Sequence, residues 1–120
     1  MARILLAEDD ESLRAFLANA LRRAGHAVTD CGDGIDALAA IEVDDFDLLL
    51  ADIVMPGLDG IELAQRAGTR LPRLKVLFIT GFAAVALSAR KSGLGRDAKI
   101  LSKPFHLRDL VSEIDKILAA

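Results

Sequence analysis

Polar residues with chemistry stand where apolar runs stop. "RILLA" (3–7) gives way to Glu8, Asp9 and Asp10, "DLLLA" (47–51) to Asp52, "KVLFIT" (75–80) ends on Thr80, and "AKILS" (98–102) precedes Lys103 and Pro104. Each has an ordinary use alone: Asp9 or Asp10 can cap a helix, Thr80 can satisfy a turn, and Lys103 can be a solvated charge. Gathered in one place they behave differently. Carboxylates a few Å apart repel by about 4 kcal/mol per pair at an effective dielectric of about 20. Such a cluster raises a carboxylate pKa, splays apart, or takes a counter-charge. A hard divalent cation answers that need, and Mg²⁺ in particular takes one or two carboxylates, keeps waters and leaves positions for phosphate oxygens. The Thr80 hydroxyl and the Lys103 ammonium would complete a site for a phosphoryl group. No G-x-x-x-x-G-K-[ST] loop is present to hold a nucleotide, so the phosphate must arrive by another route.

Whether these residues meet depends on the elements that carry them. The runs 3–7, 27–31, 47–51, 75–80 and 98–102 have strand length, and the first, third and fourth are nearly continuous in apolar residues, as in strands buried on both faces of a parallel sheet. Between the first two, Leu13, Phe16, Leu17, Ala20, Leu21 and Ala24 recur at spacings of three and four before Gly25, which predicts an amphipathic helix and its stop. Ala37, Leu38 and Ile41 mark a shorter helix after Gly34, and Ile61, Leu63 and Ala64 open a third after Gly60. Leu107, Leu110, Val111, Ile114, Ile117 and Leu118 give a final one. The stretch 83–97, Ala-rich and then polar with two glycines, predicts a short or mobile fourth helix. The order is βα repeated five times, an α/β fold with a doubly wound parallel sheet and right-handed crossovers. Ligands of such sheets bind outside the carboxyl ends of the strands, where these polar residues collect.

Composition narrows the function further. At 120 residues the chain has the length of one domain, and 52% apolar with 28% charged residues reads as a globular protein. A net charge of −3 offers no basic field for nucleic acid or an anionic membrane, so neither direct nucleic-acid binding nor membrane insertion is expected. Cys31 is the sole cysteine, which excludes an intrachain disulfide and reads as a packing residue rather than a reactive thiol. The first apolar run is too short for a signal peptide or a membrane span, and the cytoplasm is the expected compartment. His26 reads as a surface residue at a strand start and His106 as a residue capping or solvating the last helix; neither pairs with a nucleophile.

Together "ILLAEDD", "DIVMPGLDG" matching D-x-x-M-P-x-x-D-G, "FITG" and "LSKPF" resemble the receiver domain of two-component response regulators, over essentially the whole chain. The resemblance implies the flavodoxin-like receiver fold with strand order 2-1-3-4-5, a single receiver domain over 1–120 and no output domain. It implies that Asp52 is the phosphoacceptor, taking the phosphoryl group from a phosphohistidine of a histidine kinase or histidine phosphotransferase. Glu8, Asp9, Asp52 and the backbone carbonyl of Val54 would hold Mg²⁺, Thr80 would turn inward to a phosphoryl oxygen, and Lys103 would neutralise it. Pro104 would follow a peptide bond that is often cis in the family. Asp59 and Gly60 would shape the turn into the third helix. Catalysis beyond this self-phosphorylation and its reversal is not implied.

Departures from the family pattern carry their own expectations. Val54, two residues past the acceptor, and Phe82, two past Thr80, cannot hydrogen-bond an attacking water, so the acyl phosphate is expected to last minutes or longer. Ile100 stands where many receivers have Tyr or Phe, which removes the usual aromatic partner of Thr80 and shifts the switch to Gly81-Phe82 and the helix after it. The runs "DIVMPGLDGIELA", "FITGFAAVAL" and "LSKPFHLRDLV" closely resemble single-domain receivers of alphaproteobacterial cell cycles. This implies output through the ClpX/ClpXP protease, with the unphosphorylated form delivering substrates. The terminal Leu-Ala-Ala, with Ala119 and Ala120, is either a degradation signal or a frayed helix end. Two other classes stay open: an aspartate-nucleophile phosphatase of the haloacid dehalogenase type, which would need a second Asp where Val54 stands, and a pseudo-receiver that only binds partners.

Overall fold

The computed structural model describes residues 1–81 and 98–119. Strand β1 (Arg3–Ala7), helix α1 (Glu11–Arg23), β2 (Ala27–Cys31), α2 (Gly34–Val43), β3 (Leu48–Asp52), α3 (Gly60–Arg70), β4 (Lys75–Thr80), β5 (Ala98–Ser102) and α4 (Leu107–Ala119) follow in that order. The strands form one parallel sheet, β2-β1-β3-β4-β5. Residues 82–97, which include Phe82 and the helix expected at 83–97, and Ala120 lie outside the described residues.

The continuous apolar runs are explained by two cores, one on each side of the sheet. Leu5, Ala7, Leu49, Ala51 and Phe78 pack with Ala37 and Ile41 of α2 and with Leu63, Ala64 and Ala67 of α3. The alternate residues, Ile4, Leu6, Leu48, Leu50, Leu77 and Ile79, pack with Leu17 and Leu21 of α1 and with Leu110, Ile114 and Ile117 of α4. Side chains alternate across a strand, so a strand covered on both faces needs apolar residues at every position, and each fully buried Leu or Ile contributes about 1.5–3 kcal/mol. Aspartates set the helix starts: Asp10 accepts from the Leu13 amide (3.0 Å), Asp33 from Asp36 (2.8 Å) and Asp59 from Glu62 (2.8 Å). Gly25, at φ +99°, ends the turn after α1 in the left-handed region that glycine tolerates.

Two expectations need correction. Phe16 belongs to the predicted apolar stripe of α1 but is 50% exposed. The buried stripe centres on Leu17, Ala18 and Leu21, and at about 100° per residue Phe16 falls outside it. Strand β3 begins and ends one residue later than the apolar run suggested, because Asp52 stays in the ladder opposite Ile79.

Candidate functional site

The sheet changes direction of winding between β1 and β3, the position at which open sheets of this kind form a crevice at the carboxyl ends of their strands. Asp52, the last residue of β3, is 7% exposed, and Glu8, just past β1, is completely buried. Strand β4 brings the buried Thr80 to the same edge, opposite Ser102 of β5. Beyond β5, the Lys103 amide donates to the Thr80 carbonyl (2.8 Å), and the Lys103–Pro104 peptide bond is cis, as the resemblance implied. The Lys103 side chain then reaches back into the crevice. Its Nζ donates to Asp52 Oδ2 at 2.8 Å and to Glu8 Oε2 at 3.4 Å.

The remaining contacts fix the carboxylates. Asp52 Oδ1 accepts from the Val54 amide (3.2 Å), and Glu8 Oε1 accepts from the Asp10 amide (3.1 Å). One oxygen from each of Glu8, Asp9 and Asp52 lies within 4.8 Å of the others, with Asp9 on the exposed side. An octahedral Mg²⁺ shell with metal–oxygen distances of about 2.1 Å places its oxygens roughly 3–4 Å apart. Three oxygen donors this close, two buried and one facing solvent, suit such an ion with small adjustment. Asp10 is turned away to α1, which decides between the two possible caps of that helix.

The electrostatics match this crowding. Burial pushes the Glu8 carboxyl up to about 7, and the Asp52 charge adds to the rise against the Asp10 amide and Lys103, which oppose it. For Lys103, burial alone would lower the pKa. The hydrogen bond that Lys103 donates to Asp52 and the charges of Glu8 and Asp52 outweigh it and hold the ammonium above its ordinary range. Lys103 is therefore not the solvated charge it could have been by sequence.

The turn "MPGLDG" is shaped by contacts that only glycine permits. The Gly60 amide donates to the Ile53 carbonyl at 2.8 Å, and a Cβ at Gly60 would collide with the Asp52 carbonyl oxygen. Gly57 has φ +80°. The α2 start is equally close: a Cβ at Gly34 would strike the Leu58 carbonyl.

Other singled-out residues fall at varying distances from this centre. Val54 is 47% exposed beside Asp52. Gly81 is exposed, and Ile100 is half-buried against the core on the α2/α3 side, in register with Phe78. Cys31 is half-buried in the same core, and burial with the charges of Asp36, Asp30 and Asp33 pushes its thiol up to about 11, in line with a packing role. His26 Nδ1 accepts from the Ala2 amide, and His106, exposed, receives the Asp109 and Leu110 amides on its carbonyl. Ala119 is exposed at the end of α4. Arg14 was not foreseen: its Nη1 donates to the Glu8 carbonyl at 3.0 Å. Its place one turn into α1 reads in sequence as an ordinary polar face.

Comparison with known proteins agrees with this geometry. The family described as "Response regulator receiver domain" matches residues 4–115. The chain is 59% identical to the response regulator receiver protein CpdR of Brucella abortus (strain 2308) over 120 residues, all of this chain and 99% of that one. It is 32% identical to a stretch of the sensor kinase CckA of the same organism, covering 98% of this chain and 12% of the kinase, and a solved receiver domain from the hybrid histidine kinase CckA superposes with a TM-score of 0.81 at 32% identity, over 97% of this chain and 98% of that one. Among solved structures, a CheY-like receiver domain from Methanospirillum hungatei JF-1 superposes with a TM-score of 0.90 at 32% identity, over 99% of this chain and 94% of that one. The response regulator TrrA of Thermotoga maritima, solved in complex with Mg²⁺-BeF, gives 0.82 at 26% identity over 98% and 99%. The chain, with its five parallel strands in the order 2-1-3-4-5 and its acidic crevice, belongs to the receiver-domain family of response regulators.

Proposed function

We propose that this chain is a phosphoryl-accepting response regulator in which Mg²⁺-dependent phosphorylation of Asp52 switches its protein–protein contacts. The observation that carries the reading is the placement of one buried carboxylate, Asp52, against both a cation and two further acids: Lys103 Nζ at 2.8 Å, and Glu8 and Asp9 within 4.8 Å. An Asp52 carboxylate oxygen attacks the phosphorus of a phosphohistidine on a histidine kinase or histidine phosphotransferase. The P–O bond forms as the P–N bond breaks, and the imidazole leaves with the electron pair and takes a proton from solvent. Glu8, Asp9, Asp52 and the Val54 carbonyl would hold Mg²⁺, whose chemistry there is to draw negative charge off the phosphoryl oxygens. Lys103 neutralises the charge that remains, and Thr80 offers its hydroxyl to a phosphoryl oxygen. Positioning and charge account for most of such a transfer, and these residues supply both.

Val54 supplies no acid where the phosphatase class needs one, which favours a receiver over an enzyme. The intact acidic pair, Asp52, Thr80 and Lys103 favour it over a pseudo-receiver. Incubation with Mg²⁺ and acetyl phosphate should give an acid-sensitive phosphoryl adduct, seen by intact mass, that Asp52→Asn abolishes. Continuous turnover would point to the phosphatase, and the lack of any adduct to the pseudo-receiver.

The finer reading follows the 59% identity to CpdR. We infer that the chain acts in the cytoplasm, within cell-cycle control, and that its unphosphorylated form delivers substrates to ClpX/ClpXP. Purified ClpXP should degrade a delivered substrate with the unphosphorylated chain and slow when acetyl phosphate is added; equal rates would remove this output. Ala119 and Ala120 serve in this reading as a degradation signal, so replacing both with Asp should lengthen the protein's lifetime in cells.

A further inference from the structure

The Glu8 main chain is held from both sides. Its amide donates to the Cys31 carbonyl at the end of β2 (3.1 Å), and its carbonyl accepts from Arg14 Nη1 (3.0 Å). That carbonyl shares a peptide plane with the Asp9 amide, so the direction in which the chain leaves Glu8 toward Asp9 is set by what grips it. Arg14 is itself anchored. Its Nε lies 3.5 Å from Asp30 Oδ2 on β2, and Asp30 is also paired with Arg22 (3.1 Å), which donates to the Val28 carbonyl. The Arg14 side chain is 22% exposed, and it closes over Gly32, where a Cβ would stand 2.9 Å from Nη1.

We propose that Arg14 is a positioning residue for the Mg²⁺ site: it locks the Glu8–Asp9 peptide against edge strand β2 and so fixes the spacing of two of the three metal-binding carboxylates. The proposal rests on the metal-binding role given to Glu8 and Asp9 under the proposed function. Partners of this kind, which orient ligands without touching the ion, change metal affinity by about 10–100-fold when removed.

Simple electrostatics gives the opposite sign, which makes the inference testable. Removing a nearby cation should strengthen binding of a dication; removing a positioning group should weaken it. Calorimetric titration of Mg²⁺ into the unphosphorylated chain is the readout, with the thermal midpoint in the absence of Mg²⁺ reporting folding. Arg14→Ala should bind Mg²⁺ about tenfold more weakly. Gly32→Ala, which displaces the guanidinium without removing its charge, should weaken binding several-fold, and it stands as the second variant if Arg14→Ala does not fold. Unchanged or tighter binding in the folded variants overturns the positioning role. Wild-type protein that binds no Mg²⁺, or binds it equally well as Glu8→Gln, overturns the metal site itself and this inference with it.

Discussion

Lys103 occupies two of the three carboxylates that would hold a cation, Asp52 at 2.8 Å and Glu8 at 3.4 Å. It therefore competes with Mg²⁺ before phosphorylation and cooperates with it afterwards, when the phosphoryl oxygens bring new negative charge. Lys103→Met should raise Mg²⁺ affinity several-fold in a calorimetric titration while lowering the yield of adduct from acetyl phosphate. A loss of Mg²⁺ affinity would mean that Lys103 organises the carboxylates rather than competing for them. Val54 decides a different property. Its exposed aliphatic side chain flanks the acceptor and cannot orient a water, so hydrolysis of the acyl phosphate should take minutes or longer. Val54→Asn should shorten that lifetime several-fold, followed by phosphate release; an unchanged rate would place the control of lifetime elsewhere.

At the scale of elements, the turn between β3 and α3 is the least forgiving part of the site. The Gly60 position faces the Asp52 carbonyl and the Ile53 Cα, both main-chain atoms that cannot rotate away. Gly60→Ala should cost about 3 kcal/mol, the upper range for overpacking, read from urea unfolding. The elements themselves were largely legible in the sequence, since apolar runs of strand length and stripes of helical spacing each have one reading in a parallel sheet. Strands β1, β2, β4 and β5 fall where their residues predicted. Phe16 escaped because periodicity fixes an apolar stripe only to its edges, and the apolar run misses the ends of β3 by one residue because the strand leaves out Asp47 and takes in the buried Asp52 as its last residue. The family resemblance assembled Glu8, Asp9, Asp52, Thr80 and Lys103 in advance. Arg14 stayed hidden because its target is a backbone carbonyl, which no residue type announces.

For the molecule as a whole, the buried Glu8 carboxyl links the site to folding stability. Its pKa of about 7 in the folded chain exceeds the 4.5 of an unburied glutamate, so between these values the folded state holds a proton that the unfolded state releases. Stability from this group is fully present below pH 4.5 and falls as pH rises through 7, by at most about 3 kcal/mol. That is a large share of the roughly 5–15 kcal/mol typical of a domain. Without divalent cation, the urea midpoint should decline from pH 4.5 to pH 7.5, and Glu8→Gln should flatten the decline. Mg²⁺ reverses the demand, because a carboxylate bound to the ion needs no proton. At 100 times the dissociation constant it has above pH 7, where it displaces no proton, Mg²⁺ should return about 2.7 kcal/mol, and the same concentration should return less at lower pH. A urea midpoint that does not depend on pH over this range in the apo protein, together with a Mg²⁺ gain at fixed concentration that is the same below and above pH 7, would show that Glu8 is ionised in the folded chain throughout and that the crevice carries its charges without protonation.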